Sequence, residues 1–133
     1  FRDYEGITIK NLNNKEMMES YGFEMCYFPY VNQKICEKKY TKWFDCDKMK
    51  GALEVRKRKT GDYMIVDSFG MKKKLTRIMI DDKVPRELRE KLPVLALGSE
   101  VIWFPGGRIN EKYKVTSETK RIIQIKYQGG NEE

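Results

Sequence analysis

Residues 56–77 carry eight cations, Arg56, Lys57, Arg58, Lys59, Lys72, Lys73, Lys74 and Arg77, against two acids, Asp62 and Asp67. Arginine forks onto a phosphate through two N–H donors, while lysine acts as a point charge that tolerates loose placement. That mixture suits gripping an RNA backbone, with little base reading expected. A bland reading stands beside it, in which lysine-rich turns are solvated surface. The formal charge of the chain is +7, and the excess is local. Residues 47–91 hold 14 Lys and Arg against 8 Asp and Glu, whereas residues 1–46 hold 7 of each and residues 92–133 hold 6 against 5. Such a field attracts polyanions and speeds encounter with them. A membrane surface is another conceivable target, but no lipidation motif and no long amphipathic helix accompanies the charge.

Catalytic chemistry is sparse. There is no histidine, so Ser-His-Asp and Cys-His arrangements are excluded within this chain and the commonest general base is missing. No GxxxxGK[ST] or GxGxxG phosphate loop occurs, and Gly106-Gly107 alone is a weak signal. Cys26, Cys36 and Cys46 lie ten residues apart, which is not a zinc spacing, and their odd number argues against a disulfide framework. They read as reduced structural thiols of a cytoplasmic protein. Asp81-Asp82 reads as a helix end rather than a metal site. No catalytic residue and no metal ligand is assigned. Tyr63, Phe69, Trp103 and Tyr113 are candidate platforms for base stacking, although Trp103 and Phe104 fit the core of an apolar strand better.

The elements that must position these groups are short. Gly6 to Lys10 alternates, Asn11 to Asn14 signals a turn or helix entry, and Gly22 to Tyr30 is an aromatic-rich strand that Asn32 breaks. Lys42 to Asp45 predicts a strand with Trp43 and Phe44 on opposite faces. Leu53 to Arg58 alternates with period two. The Thr60-Gly61-Asp62 turn and a returning strand over Tyr63 to Val66 then predict a hairpin. Lys72 to Asp81 predicts a helix with Leu75, Ile78 and Met79 buried and Lys73 and Arg77 outward. Pro85 suits the first turn of a second helix, which Pro93 ends. Val94 to Leu97 and Val101 to Phe104 predict strands joined at Gly98-Ser99, and Arg121 to Tyr127 predicts a closing strand. The expectation is an α+β fold, a single small domain of mostly antiparallel short strands with two short helices. No run of about 18 apolar residues predicts a membrane span. The chain begins at Phe1 rather than Met and reads as a piece of a longer protein.

Several blocks in order resemble one family, the C-terminal domain of bacterial tRNA(Ile)-lysidine synthetase. Trp43 to Met49 and Leu53 to Asp62 resemble its "FDADKL…LxVRxRxxGD" segment. Gly70 to Leu75 and Ile80 to Arg89 are similar to "GxxKKLKDxFIDxKIPRxxR". Pro93-Val94-Leu95 matches "PVL", Trp103 to Ile109 resembles "WVPGLRI", and Lys112 to Thr116 resembles "KYKVT". Cys46 stands where the pattern has Ala, and Gly107 where it has Leu. The resemblance covers about residues 43–127. Residues 1–42 form an N-terminal strand-rich segment with no matched motif, and residues 128–133 read as a frayed tail.

The resemblance implies a tRNA-binding accessory domain. The parent enzyme would activate the wobble cytidine of an isoleucine tRNA with ATP and Mg, and lysine would then attack it. That chemistry belongs to an N-terminal PP-loop domain with an SGGxDS motif, which this chain lacks, so no cofactor is expected here. By resemblance, the domain would contact the acceptor-stem region of the tRNA through Arg56, Arg58, Lys72, Lys73, Lys74, Arg77, Lys83, Arg86, Arg89 and Arg108. Some of these arginines have Asp81, Asp82 or Glu87 as competing partners. The alternative is a protein-interaction module, a homodimer for instance. Its charge would serve solubility, and an exposed patch at Tyr27, Phe28 and Tyr30 would mark it.

Overall fold

The computed structural model describes residues 2–4, 7–9, 18–36 and 38–129. The strands are β1 (Arg2–Tyr4), β2 (Ile7–Ile9), β3 (Phe23–Pro29), β4 (Thr41–Asp45), β5 (Gly51–Lys57), β6 (Tyr63–Ile65), β7 (Lys72–Lys74), β8 (Pro93–Leu97), β9 (Glu100–Trp103) and β10 (Arg121–Tyr127). Two short helices, α1 (Leu75–Asp81) and α2 (Arg86–Lys91), lie between β7 and β8. The predicted turn at Asn11 to Asn14 and residues 130–133 of the tail lie outside the described residues.

Two sheets form. One has the order β1-β2-β5-β8-β9-β6-β7 and the other β3-β10-β4. Most pairs are antiparallel, with β2–β5 and β6–β9 parallel. β10 is the centre of the small sheet, with Ile123 opposite both Tyr27 of β3 and Phe44 of β4. Residues 23–29 are thereby hydrogen-bonded to the end of the chain. Trp43 and Phe44 do point apart. Phe44 is fully buried beside the Trp103 ring, while Trp43 packs edge-on against Phe28 and donates to Gln124 Oε1 at 2.8 Å.

The alternation of each strand sorts side chains into two cores, one on each face of the large sheet. Leu53, Val55 and Leu95 point toward the small sheet and pack with Phe23, Phe44, Trp103, Ile123 and Ile125. Val94, Ala96 and Val101 point the other way, against Leu75, Ile78 and Met79 of α1. The register of β8 and β9 shifts at Leu95/Ala96, leaving Ile102 as the extra residue of a bulge. Ile102 and Trp103 therefore both enter the inter-sheet core, and Phe104 joins the α1 side. α1 is too short to hold alone. Its three buried side chains, at roughly 1.5–3 kcal/mol each, hold it to the sheet.

Three sequence expectations change. The hairpin between Leu53–Arg58 and Tyr63–Val66 does not form: β5 pairs along Leu53–Lys57 with β8, and at Gly51 and Ala52 with β2. β6 crosses to the far side of β9, and the hairpin made is β6–β7, with Tyr63 opposite Lys74. Lys72 to Lys74 are consumed by that pairing, so the helix starts at Leu75 and not at Lys72. Pro85 precedes α2 as its cap residue instead of occupying its first turn. The β8–β9 hairpin turns at Gly98-Ser99 as predicted, with Gly98 at φ +66°.

At Gly107 an added Cβ would sit 2.2 Å from ring atoms of Phe104, which is buried. Phe104 fills the space that a side chain at 107 would need. Gly107→Ala is expected to cost about 1–3 kcal/mol in urea unfolding, as for overpacked cores. In a Phe104→Val background the added cost of Gly107→Ala should largely vanish, and strictly additive costs in the double-mutant cycle would contradict the size exchange.

Candidate nucleic-acid interface

Arg56 leaves β5 on the face opposite Leu53 and Val55, as alternation requires. Its guanidinium then uses every N–H it has. Nε donates to Glu54 Oε1 at 2.9 Å, Nη1 to Asp62 Oδ2 at 2.8 Å and the Lys57 carbonyl at 3.0 Å, and Nη2 to Asp62 Oδ1 at 2.8 Å and the Gly98 carbonyl at 2.9 Å. Asp62 is buried and also accepts from the Lys59 N–H at 2.7 Å. The hydrogen bonds from Arg56 to Asp62 raise the Arg56 pKa further above its ordinary value. Arg56 is thus a brace between β5, the 59–62 turn and the β8–β9 turn. Asp62, which reads in sequence only as a turn residue, is its anchor.

A second group gathers at the C-terminal end of α1. Lys73 Nζ lies 2.5 Å from Asp81 Oδ2, and Arg77 Nε lies 3.3 Å from Asp81 Oδ1. Lys73 reaches this carboxylate from strand β7, not from the helix. Arg108 forks onto Asp82, with Nε to Oδ2 at 2.8 Å and Nη2 bonded to Oδ1. The hydrogen bond from Lys73 lowers the Asp81 pKa, helped by the charges of Arg77 and Arg108. Both acids of the Asp81-Asp82 pair are therefore held by cations. Arg58 and Arg89 tie α2 down: Arg58 donates to the Arg89 carbonyl at 2.9 Å and to Glu90 at 2.7 Å, and Arg89 to the Val84 carbonyl at 3.0 Å.

The remaining cations point to solvent. Lys74, Lys83 and Arg86 are exposed and meet no carboxylate among the described residues. Lys83 sits at φ +58°, the left-handed residue that ends α1, with the next N–H, of Val84, bonded to the Met79 carbonyl at 2.9 Å. Arg77 keeps two thirds of its side chain in water. Because successive residues of β7 alternate, Lys72 and Lys74 leave on one face and Lys73 on the other. The cations of the 56–77 run therefore do not share one surface.

Lys72 stands 4.8 Å from the centre of the Tyr63 ring. Both line a groove of about 810 Å³ with Lys48, Lys112 and Lys114, three lysines that the sequence run did not include. They were invisible to it because they come from two other turns, Lys48 from one and Lys112 with Lys114 from the other. Of the aromatic candidates, Trp103 is core, Tyr113 is buried with its hydroxyl on Glu100, and Phe69 projects into water. Burial, with the Glu100 contact, pushes the Tyr113 phenol well above its ordinary pKa. Tyr27, Phe28 and Tyr30, the patch expected of an interaction module, are half-buried. Among the described residues no three Cys, Asp or Glu converge as metal ligands, and no helix is long and apolar enough to cross a membrane.

A family model described as the TilS substrate C-terminal domain matches residues 53–126. The tRNA(Ile)-lysidine synthase of Clostridium tetani is 44% identical over 95 residues, covering 70% of this chain and 20% of that protein. The tRNA(Ile)-lysidine synthase of Caldanaerobacter subterraneus subsp. tengcongensis is 42% identical over 90 residues, covering 66% and 19%. A crystal structure of a TilS C-terminal domain is similar with a TM-score of 0.64 and 25% identity, covering 84% of this chain and 87% of that one. The chain spans about a fifth of the length of the curated relatives it matches.

Removing one partner of a buried ion pair strands the other. Asp62→Ala is expected to destabilise the fold by about 3–5 kcal/mol in denaturant melts, and Arg56→Lys to fail as a replacement because an ammonium has no fork. Stability unchanged within error in Asp62→Ala would show that the brace carries no weight.

Proposed function

The chain belongs to the TilS substrate C-terminal domain family, and from that premise we propose that it is the tRNA-gripping accessory domain of a tRNA(Ile)-lysidine synthase. The parent reaction in this proposal is ATP-dependent joining of lysine to the wobble cytidine of an isoleucine tRNA. It belongs to a PP-loop domain outside this chain, since no SGGxDS motif is present here. ATP with its Mg and the lysine substrate would bind there. The cytoplasm is the compartment this function requires. The part left to residues 1–133 is to hold the tRNA body, in the acceptor-stem region, while the anticodon reaches a distant active site.

One observation carries the reading: the carboxylates of the domain engage only some of its cations. Arg56, Arg58, Lys73, Arg89 and Arg108 are committed to internal partners. Lys72, Lys74, Lys83 and Arg86 meet no carboxylate among the described residues, and Arg77, though paired with Asp81, keeps two thirds of its side chain in water; these five are the proposed phosphate contacts. Lysines dominate this second set, which fits a grip on backbone charge more than on base identity.

With roughly 4–6 phosphate contacts, log K for tRNA should fall against log salt with a slope of roughly −3 to −5. Lys74→Ala, Lys83→Ala and Arg86→Ala should each weaken tRNA binding and flatten that slope by roughly 0.7–0.9, without changing the melting temperature. A slope near zero for the unaltered chain, or one indifferent to all three substitutions, would refute the grip.

A further inference from the structure

The turn between β6 and β7 holds a feature that the cation network leaves unused. Phe69 is 94% exposed and Met71 61% exposed. The backbone beneath them is tied. Asp67 Oδ1 accepts from the Phe69 N–H at 2.9 Å and the Met71 N–H at 3.0 Å, and the Val66 N–H donates to the Met71 carbonyl at 2.9 Å. Gly70 supplies the positive φ of +84° that closes the turn. An aromatic ring held in water on a fixed backbone has lost little freedom left to lose on binding, so it is pre-organised for a partner.

The surroundings say which kind. The strand leaving the turn is Lys72-Lys73-Lys74, and Asp67, Ser68 and Gly70 of the turn form one wall of the lysine-lined groove. The acids of that groove are occupied: Asp67 by the turn amides, Glu100 by the Tyr113 hydroxyl and by Lys112 at 3.6 Å, and Glu111 by Lys114 at 2.8 Å. Lys72 meets no carboxylate among the described residues. An exposed apolar ring on the turn that leads directly into Lys72 and Lys74, cations with no carboxylate partner among the described residues, matches a nucleic acid, whose bases offer flat apolar faces beside a line of phosphates. Duplex RNA hides those faces except at open ends and in unpaired segments.

We propose that Phe69 stacks on a nucleobase with a free face at an open end of bound RNA, while Lys72 and Lys74 take the adjoining phosphates. The proposal rests on the RNA-gripping reading and adds a specific subsite to it.

The test compares affinity of the full chain for a short RNA duplex with open ends and for the same duplex closed at both ends by stable tetraloops. The unaltered chain should favour the open duplex about tenfold. Phe69→Ala should bring the open duplex down to the closed one, while Phe69→Trp keeps the preference; circular dichroism checks that both variants fold. Equal affinity of the unaltered chain for the two RNAs, or a preference that survives Phe69→Ala, overturns the stacking role and leaves the grip standing. Binding to neither RNA overturns both. Concentration-dependent self-association that Phe69→Ala abolishes would overturn stacking in favour of a second copy as the occupant of the ring.

Discussion

The fork between Arg56 and Asp62 is the constraint on which the layout of this domain depends. The chain leaving β5 does not fold back along it and crosses two strands, β8 and β9, before it pairs again. The buried carboxylate of Asp62 fixes that crossing, holding Arg56 on β5 and the Lys59 amide at the start of the turn. Its own carbonyl accepts from the Leu75 N–H at 2.9 Å, so the same residue also sets where α1 begins. Every part of the β6–β7–α1 unit is hung from this point. A carboxylate lacking its guanidinium here would be a buried charge without compensation, which is far costlier than a lost surface pair.

A second consequence follows from where the acids lie. The domain is strongly basic, yet its cations are not equivalent. Asp81 and Asp82 take up Lys73, Arg77 and Arg108 into a network that joins β7, α1 and the loop after β9. Glu90 and the Arg89 carbonyl hold Arg58. Arginine, with its planar fork, supplies most of the internal ties, and lysine most of the charge left in water. This division matches their chemistry: a fork satisfies two fixed acceptors at once, while an ammonium on a flexible stem neutralises a phosphate without fixed geometry.

What was legible in the sequence was local. The β8–β9 hairpin follows from two apolar runs around Gly98, β10 from its alternation, and the buried stripe of α1 from the spacing of Leu75, Ile78 and Met79. The missing parts were non-local. β6 is paired in parallel with β9, where Tyr63 faces Glu100 far along the chain, and no turn signal near Asp62 reports that. The bulge at Ile102 placed two successive residues in one core against simple alternation. The fates of the cations depended on acids 32 residues away for Arg58 and 26 for Arg108. Lys48 reaches one groove from one turn, and Lys112 and Lys114 from another, so a count of charges along the sequence does not find them.

The central claim is that tRNA is held by the lysines that the carboxylates leave in water. Acetylation of the chain with and without an isoleucine tRNA, read residue by residue by mass spectrometry, tests it most directly. Lys72, Lys74 and Lys83 should lose reactivity when tRNA is present. Lys126, exposed on the outer face of the small sheet, should keep its own. Protection of Lys126 with no protection of the other three would contradict the account.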